Sequence, residues 1–272
     1  MRKLLRKIKN SRKTKAFILT IALIISAGIF WYIKTNPVMP QLTIYFLNDV
    51  KLPENGQKVL VFSPHPDDET IACGGYIAES EQRGAEVKIV LVTDGNKHSL
   101  KDLRYSEFKT ATSVLGVPVN NLIFLNYSDG KLAQQSQAEI EKIFQNQIDS
   151  CNPDIILYPH PSDNHKDHAT IGKIVEKILE QSPNKKIAYK YLVHHNLYPR
   201  PKKYAPELYT LPPIRLITFD GGWERLMLSE ETKNLKQQAL KSYKSQLKNL
   251  LLKNLLESSI RKNELFAVES LP

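Results

Sequence analysis

From Lys58 onward the chain alternates short apolar runs with helical patterns, and few folds accept that order. "KVLVFS", "EVKIVLVT", "NLIFLNY" and "DIILYP" read as strands. Between them "TIACGGYIAESEQRG", "LRYSEFKTATSVLG" and "QAEIEKIFQNQIDS" carry helical spacing. Strands that are apolar throughout, rather than at every second residue, are buried on both faces, as in a parallel sheet covered by helices. With right-handed crossovers the expected fold is α/β, a Rossmann-like and mainly parallel sheet. Further strands are expected at "KIAYKYLVHH" and "IRLITF", separated by a Pro- and Tyr-rich loop over 196–213. A final helix from about Ser229 to Glu257, with leucines on one stripe, should pack on the domain.

The N-terminus reads differently. "MRKLLRKIKNSRKTK" holds eight Lys and Arg and no acid, and the next eighteen residues, Ala16 to Ile33, carry no charge. That is the length and composition of a spanning helix, with Trp31 and Tyr32 at the level of an interfacial aromatic belt. The resulting division is a basic cytoplasmic tail over 1–15, a transmembrane helix over 16–33, a stalk over 34–57 and one domain over 58–272. Cations ahead of the helix place the N-terminus in the cytoplasm and the domain on the outer side of a cell membrane. A secretory signal peptide has the same order of segments. The longer apolar run, with no small-x-small site after it, favours an uncleaved anchor.

Net charge follows from this topology. Of the 38 basic residues, eight lie in the tail, leaving 30 against 28 acidic side chains, so the formal +10 carries no nucleic-acid footprint. Two cysteines make no disulfide framework, and Cys73, in "TIACGGYIA", reads as a small buried thiol.

Two polar clusters remain. "SPHPDDET", Ser63 to Thr70, leaves the first strand, and "HPSDNHKDH", His160 to His168, leaves the strand "DIILYP". Ligands of open parallel sheets sit beyond the carboxyl ends of the strands, so both loops face one edge. A hydrolytic metal needs about three ligands and an open position. His65 and Asp68, three apart across a turn, and His168 at a helix start offer such a set. Asp67 is then free to act as general base, and His165, one turn before His168, can donate to an oxyanion. Singly, each has a plainer use: Asp67, Asp68 and Asp167 as helix caps, His165 as a solvated loop residue. His160 and Asp163 lie in the same loop as His165 and His168, either as supports for the ligands or with no role, and His98 belongs to an exposed loop. Of His194 and His195, which end a strand on the same edge, His195 is the candidate for the substrate pocket.

"PHPDDE" together with "HKDHATIG" resembles the PIG-L or LmbE-like zinc-dependent de-N-acetylases, which include the N-acetylglucosaminyl-phosphatidylinositol, mycothiol-pathway and bacillithiol-pathway deacetylases. The resemblance continues in "TDG" at 93–95, "RYSEFKTATSVLGV" from Arg104, "SDGKL" at 128–132 and "NELF" near the C-terminus. It implies Zn2+ on His65, Asp68 and His168, with Fe2+ the other metal this donor set suits. It further implies Asp67 as base, His165 as oxyanion donor, and Arg104 (with Glu107) and Asp129 as substrate contacts. At i, i+3 on one helix, Arg104 and Glu107 also suit pairing with each other. The implied activity is removal of an N-acetyl group from an N-acetylglucosamine-type sugar or glycoconjugate, with the lipid bilayer as a second partner through the N-terminal helix. Two rival readings are an inactive glycan-binding module and a non-heme iron enzyme. The Pro- and Tyr-rich loop is either a sugar-stacking lid or a connection.

Overall fold

The computed structural model describes residues 12–35, 39–96, 99–196, 198–217 and 222–268. Most of the basic tail and His98 lie outside them. Two units are distinguished, Met1–Met39 and Pro40–Pro272. In the first, helix α1, Arg12–Thr35, has 24 residues, or about 36 Å at 1.5 Å per residue, and exposes the apolar side chains from Phe17 to Trp31. Its length and composition suit a membrane crossing, and a signal sequence meets the same criteria.

Among the described residues the second unit is built on one eight-stranded sheet. Its strands are β1 (Asn48–Asp49), β2 (Lys58–Ser63), β3 (Glu86–Thr93), β4 (Leu122–Tyr127), β5 (Ile155–Pro159), β6 (Ile187–Tyr191), β7 (Gly222–Met227) and β8 (Asn263–Val268). Their order is β1-β7-β8-β6-β5-β2-β3-β4. Every pairing is parallel except those of β8, which runs antiparallel to both β6 and β7. Helices α2 (Asp68–Gln82), α3 (Lys101–Val114), α4 (Gln137–Cys151) and α5 (Lys166–Gln181) connect the parallel strands. The mainly parallel Rossmann-like sheet expected from the apolar runs is the sheet observed.

Strand alternation divides the core. Val59 and Val61 of β2, Ile89 and Leu91 of β3, and Ile155 and Leu157 of β5 pack on one face with Ile77, Phe108 and Leu240. Leu60, Phe62, Val90, Ile156 and Tyr158 face the other way onto Phe144 of α4 and Ile171, Val175 and Ile178 of α5. Both faces of these strands are dry, which is why their sequences lack polar alternation.

Three expectations require correction. Residues 40–57 are no stalk: Ile44 packs with Leu192, Trp223 and Leu265, Val50 joins the main core, and β1 adds to the sheet beside β7. The three partners of Ile44 each lie more than a hundred residues away in the chain. "IRLITF" begins as a 3-10 turn, Ile214–Leu216, and the next strand is β7 instead. The single final helix is three: α6 (Glu230–Lys241), α7 (Lys244–Leu247) and α8 (Leu250–Ser258), with Asn249 capping α8 through the N–H groups of Leu251 and Leu252.

Candidate active site

The chain passes from β2 to β3 and β4 on one side, then returns to place β5 on the other side of β2. Loops leaving β2 and β5 therefore diverge, and the crevice between them is where open α/β sheets hold ligands. Both polar clusters occupy that crevice. Gly172 lets α5 approach closely, since a Cβ there would lie 2.4 Å from the Pro159 carbonyl oxygen.

Asp68 Oδ2 lies 3.0 Å from His65 Nδ1 and 3.0 Å from His168 Nε2, and these two nitrogens are 3.2 Å apart. His65 Nε2 faces the carboxylates of Asp167 at 3.1 Å and Asp129 at 3.3 Å. His168 Nδ1 faces Asp163 at 3.4 Å. Each outer nitrogen thus carries the N–H, and the two inner lone pairs converge with a carboxylate oxygen. Three acceptors so close repel unless a cation or proton sits among them. A tetrahedral ion holding ligands at about 2.0–2.1 Å would space them by about 3.3 Å, so the triangle fits a zinc-sized ion.

Supporting carboxylates complete the cradle. Asp163 Oδ2 accepts the N–H groups of Val193 (3.0 Å) and His194 (2.9 Å), and its Oδ1 that of His165 (2.9 Å). Asp167 accepts from Gly130 (2.7 Å) and Leu132 (3.1 Å). It therefore orients His65 and does not cap its own helix. Burial alone would lower the His65 pKa, but Asp129, Asp167 and Asp68 together hold it well above the usual range. For His168, Asp68 and Asp163 likewise outweigh burial and raise it to about 9. Burial would raise Asp68, yet its two imidazole neighbours hold it well below the ordinary carboxylate value. The centre draws positive charge.

Asp67 stands beside the triangle with φ 129°, a backbone conformation costing about 1–3 kcal/mol. Buried Glu69 holds it: Oε2 accepts the Asp67 N–H at 3.2 Å and the Ser63 hydroxyl at 3.1 Å. On its other side Glu69 Oε1 takes the hydroxyls of Thr70 and Tyr243. Arg104, also buried, donates from one guanidinium nitrogen to Pro66 O (2.5 Å) and Asp67 Oδ2 (3.1 Å), and from the other to Gly95 O (3.3 Å). Gly95, at φ 57°, passes so near this side chain that a Cβ would be 2.8 Å from it. Burial pushes Asp67 up to about 8, against the pull of Arg104 and with the repulsion of Asp68 and Glu69.

One pocket is lined by His65, Asp67, Asp68, Arg104, Asp129 and His165, together with His194, Ile71, Gln246, Leu252 and Leu255. His165 and His194 each bring a nitrogen within 4.8 Å of two triangle ligands. Burial, with the positive character of His65 and His168, lowers His165 to about 4. His195 does not line the pocket; its Nδ1 lies 3.3 Å from Ser162 O, and His194 takes the place expected for it. The strand ends at Tyr191, earlier than the sequence suggested, which changes which histidine turns inward. Glu107 does not pair with Arg104 but accepts the N–H (2.8 Å) and hydroxyl (2.6 Å) of Ser245. His160 stacks on Trp223 and accepts the Ser162 N–H at 2.9 Å, bracing the loop away from the pocket. Glu69, Gln246 and the apolar lining residues Ile71, Leu252 and Leu255 carry no site signal in the sequence beyond, for Glu69, an acid directly after Asp67 and Asp68.

Residues 60–179 match the family described as PIG-L: GlcNAc-PI de-N-acetylase, a span holding both loops. The chain is 29% identical over 146 residues to the probable N-acetyl-alpha-D-glucosaminyl L-malate deacetylase 2 of Bacillus anthracis, covering 49% of this chain and 64% of that one. With the diacetylchitobiose deacetylase of Thermococcus kodakarensis it shares 33% identity over 137 residues, 46% of this chain and 48% of that one. It thus spans less than two thirds of either relative. A solved N,N'-diacetylchitobiose deacetylase from Pyrococcus horikoshii superposes with TM-score 0.55 at 23% identity, covering 72% of this chain and 73% of the other, and so shares the fold.

Proposed function

With a PIG-L family match over residues 60–179 as premise, we propose that this protein is a metal-dependent hydrolase removing the N-acetyl group from an N-acetylglucosamine-type sugar or glycoconjugate. The observation that carries the reading is the His65–Asp68–His168 triangle with the carboxylate of Asp67 at its edge. His65, Asp68 and His168 would hold zinc, which supplies Lewis acidity toward an amide carbonyl and acidifies water.

The remaining steps belong to side chains. Arg104 occupies Oδ2 of Asp67, so the carboxylate is oriented to take the proton of the attacking water. As the amide C–N bond breaks, Asp67 hands that proton to the departing amine, and acetate leaves. His165, kept neutral by burial and its neighbours, donates an N–H to the carbonyl oxygen as negative charge develops there. Arg104 and Asp129 offer polar contacts to sugar hydroxyls, while Ile71, Leu252 and Leu255 offer apolar surface to the ring. The names of both relatives, each an acetylated amino-sugar deacetylase, support this substrate class. Helix α1 is read as a membrane anchor with the domain outside the cytoplasm; a C-terminal tag cleaved by external protease on intact cells is the expected result.

The test is amine release from a panel of N-acetylglucosamine conjugates by the full chain with zinc, beside Asp67→Asn. The variant should bind zinc and lose about 10²–10⁴-fold in rate. No release from any conjugate by zinc-loaded wild type would sink the reading.

A further inference from the structure

The pocket wall made by α8 continues outward into a surface of unusual composition. Leu252 and Leu255 line the pocket, while Leu250 and Leu251, just before them at the start of α8, are 71% and 78% exposed. From Thr232 to Leu256 the chain holds six lysines and no acid. Lys236 is buried against Glu264, and Lys233 pairs with Glu230. Lys241, Lys244, Lys248 and Lys253 are exposed, Lys253 lying 3.8 Å from Glu257 one turn on in the same helix. Exposed apolar side chains at a helix start, with exposed lysines close by in the chain, are what an interfacial segment presents to acyl chains and anionic headgroups. Independently, the same chain carries in α1 a helix of membrane-crossing length.

We propose that the α7–α8 rim of the pocket docks on an anionic lipid bilayer, with Leu250 and Leu251 inserted and the exposed Lys244, Lys248 and Lys253 on the headgroups. The pocket then opens toward the bilayer surface along Leu252 and Leu255, and its acetamido sugar is presented from a lipid. This last step rests on the deacetylase reading; the docking does not.

Both native cysteines are buried, so a thiol-reactive, environment-sensitive dye can be directed to Leu251→Cys in the full chain. The control is Val119→Cys, an exposed position at the opposite end of the sheet. The proteins are placed in nanodiscs of phosphatidylcholine with or without phosphatidylglycerol. The expected result is a blue shift and quenching by brominated acyl chains at position 251 in the anionic discs, and neither at position 119. A dye at 251 that reports water in both compositions overturns the proposal. A shift that appears without lipid and grows with protein concentration also overturns it, assigning the patch to a second copy of the chain. In a second arm, Leu250→Ser with Leu251→Ser should lower release from a bilayer-embedded acetamido glycolipid by about tenfold and leave a water-soluble conjugate unaffected. Equal loss on both would remove the lipid route. If wild type releases amine from neither, the deacetylase reading fails while the dye still decides the docking.

Discussion

Glu69 Oε2 accepts the backbone N–H of Asp67 at 3.2 Å, so the proposed base stands on a strained residue held by the buried carboxylate two positions on. Tyr243 and Thr70 fix the other oxygen of Glu69. Replacing Glu69 by Gln turns one acceptor into a donor and frees the Asp67 backbone to relax. A hydrogen bond to a charged group contributes about 1.5–3 kcal/mol, so kcat should fall roughly tenfold to a hundredfold. Zinc per chain, read by metal analysis, should stay at the wild-type value; a parallel loss of metal would assign Glu69 to the cradle itself.

Asp163 reaches His168 Nδ1 at 3.4 Å while gathering three backbone N–H groups. Asp163→Asn keeps the volume and removes the charge that orients the ligand. Zinc affinity, measured by chelator competition, should drop about 10–100-fold. Undiminished affinity would mean that the loop backbone alone sets the ring.

In the metal-free chain protons stand in for the cation. Asp67 titrates near 8 instead of 3.8, His168 near 9 instead of 6.5, and His65 is also raised. Between these limits the folded state binds more protons than the unfolded one. For His168 the stabilisation is complete below 6.5 and lost as pH rises through 9, on the order of 3 kcal/mol. The Tm of chelator-treated protein, followed by near-UV circular dichroism, should therefore fall from pH 7 to 9, and added zinc should flatten the curve. A Tm independent of pH without metal would contradict the cation-attracting centre.

Lys236 Nζ meets Glu264 Oε1 at 2.7 Å with both side chains buried, and Glu264 also accepts the N–H groups of Gly75 and Tyr76. Lys236→Met leaves that carboxylate buried without its counter-charge. The expected cost is about 3–5 kcal/mol in chemical denaturation, against little change for a rim substitution such as Lys241→Met. A small loss for Lys236→Met would show that the two backbone donors suffice.

Much of the molecule was legible because it depends on local pattern. The runs "KVLVFS", "EVKIVLVT" and "DIILYP" announce strands buried on both faces, since past their charged first residues each continues as an unbroken apolar stretch, "VLVF", "IVLV" and "IILY". Once those strands are ordered by handed crossovers, the two acidic and histidine-bearing loops share an edge by geometry alone. The packing of residues 40–57 was not legible, because Ile44 finds its partners in Leu192, Trp223 and Leu265, remote in the chain.

The sequence by itself determined the order of strands and helices from β2 through β6, the donor types and the crevice in which they meet, all consequences of short-range periodicity and topology. Only the tertiary structure decided which neighbours each charge would face. Arg104 goes to Pro66 and Asp67 while Glu107 goes to Ser245, although their spacing suits a pair. Asp167 turns to His65 rather than to its helix end, and His194 rather than His195 enters the pocket. Those choices are set by desolvation: a buried charge takes whichever partner the packed chain brings within hydrogen-bond reach, and that distance is not written in sequence separation.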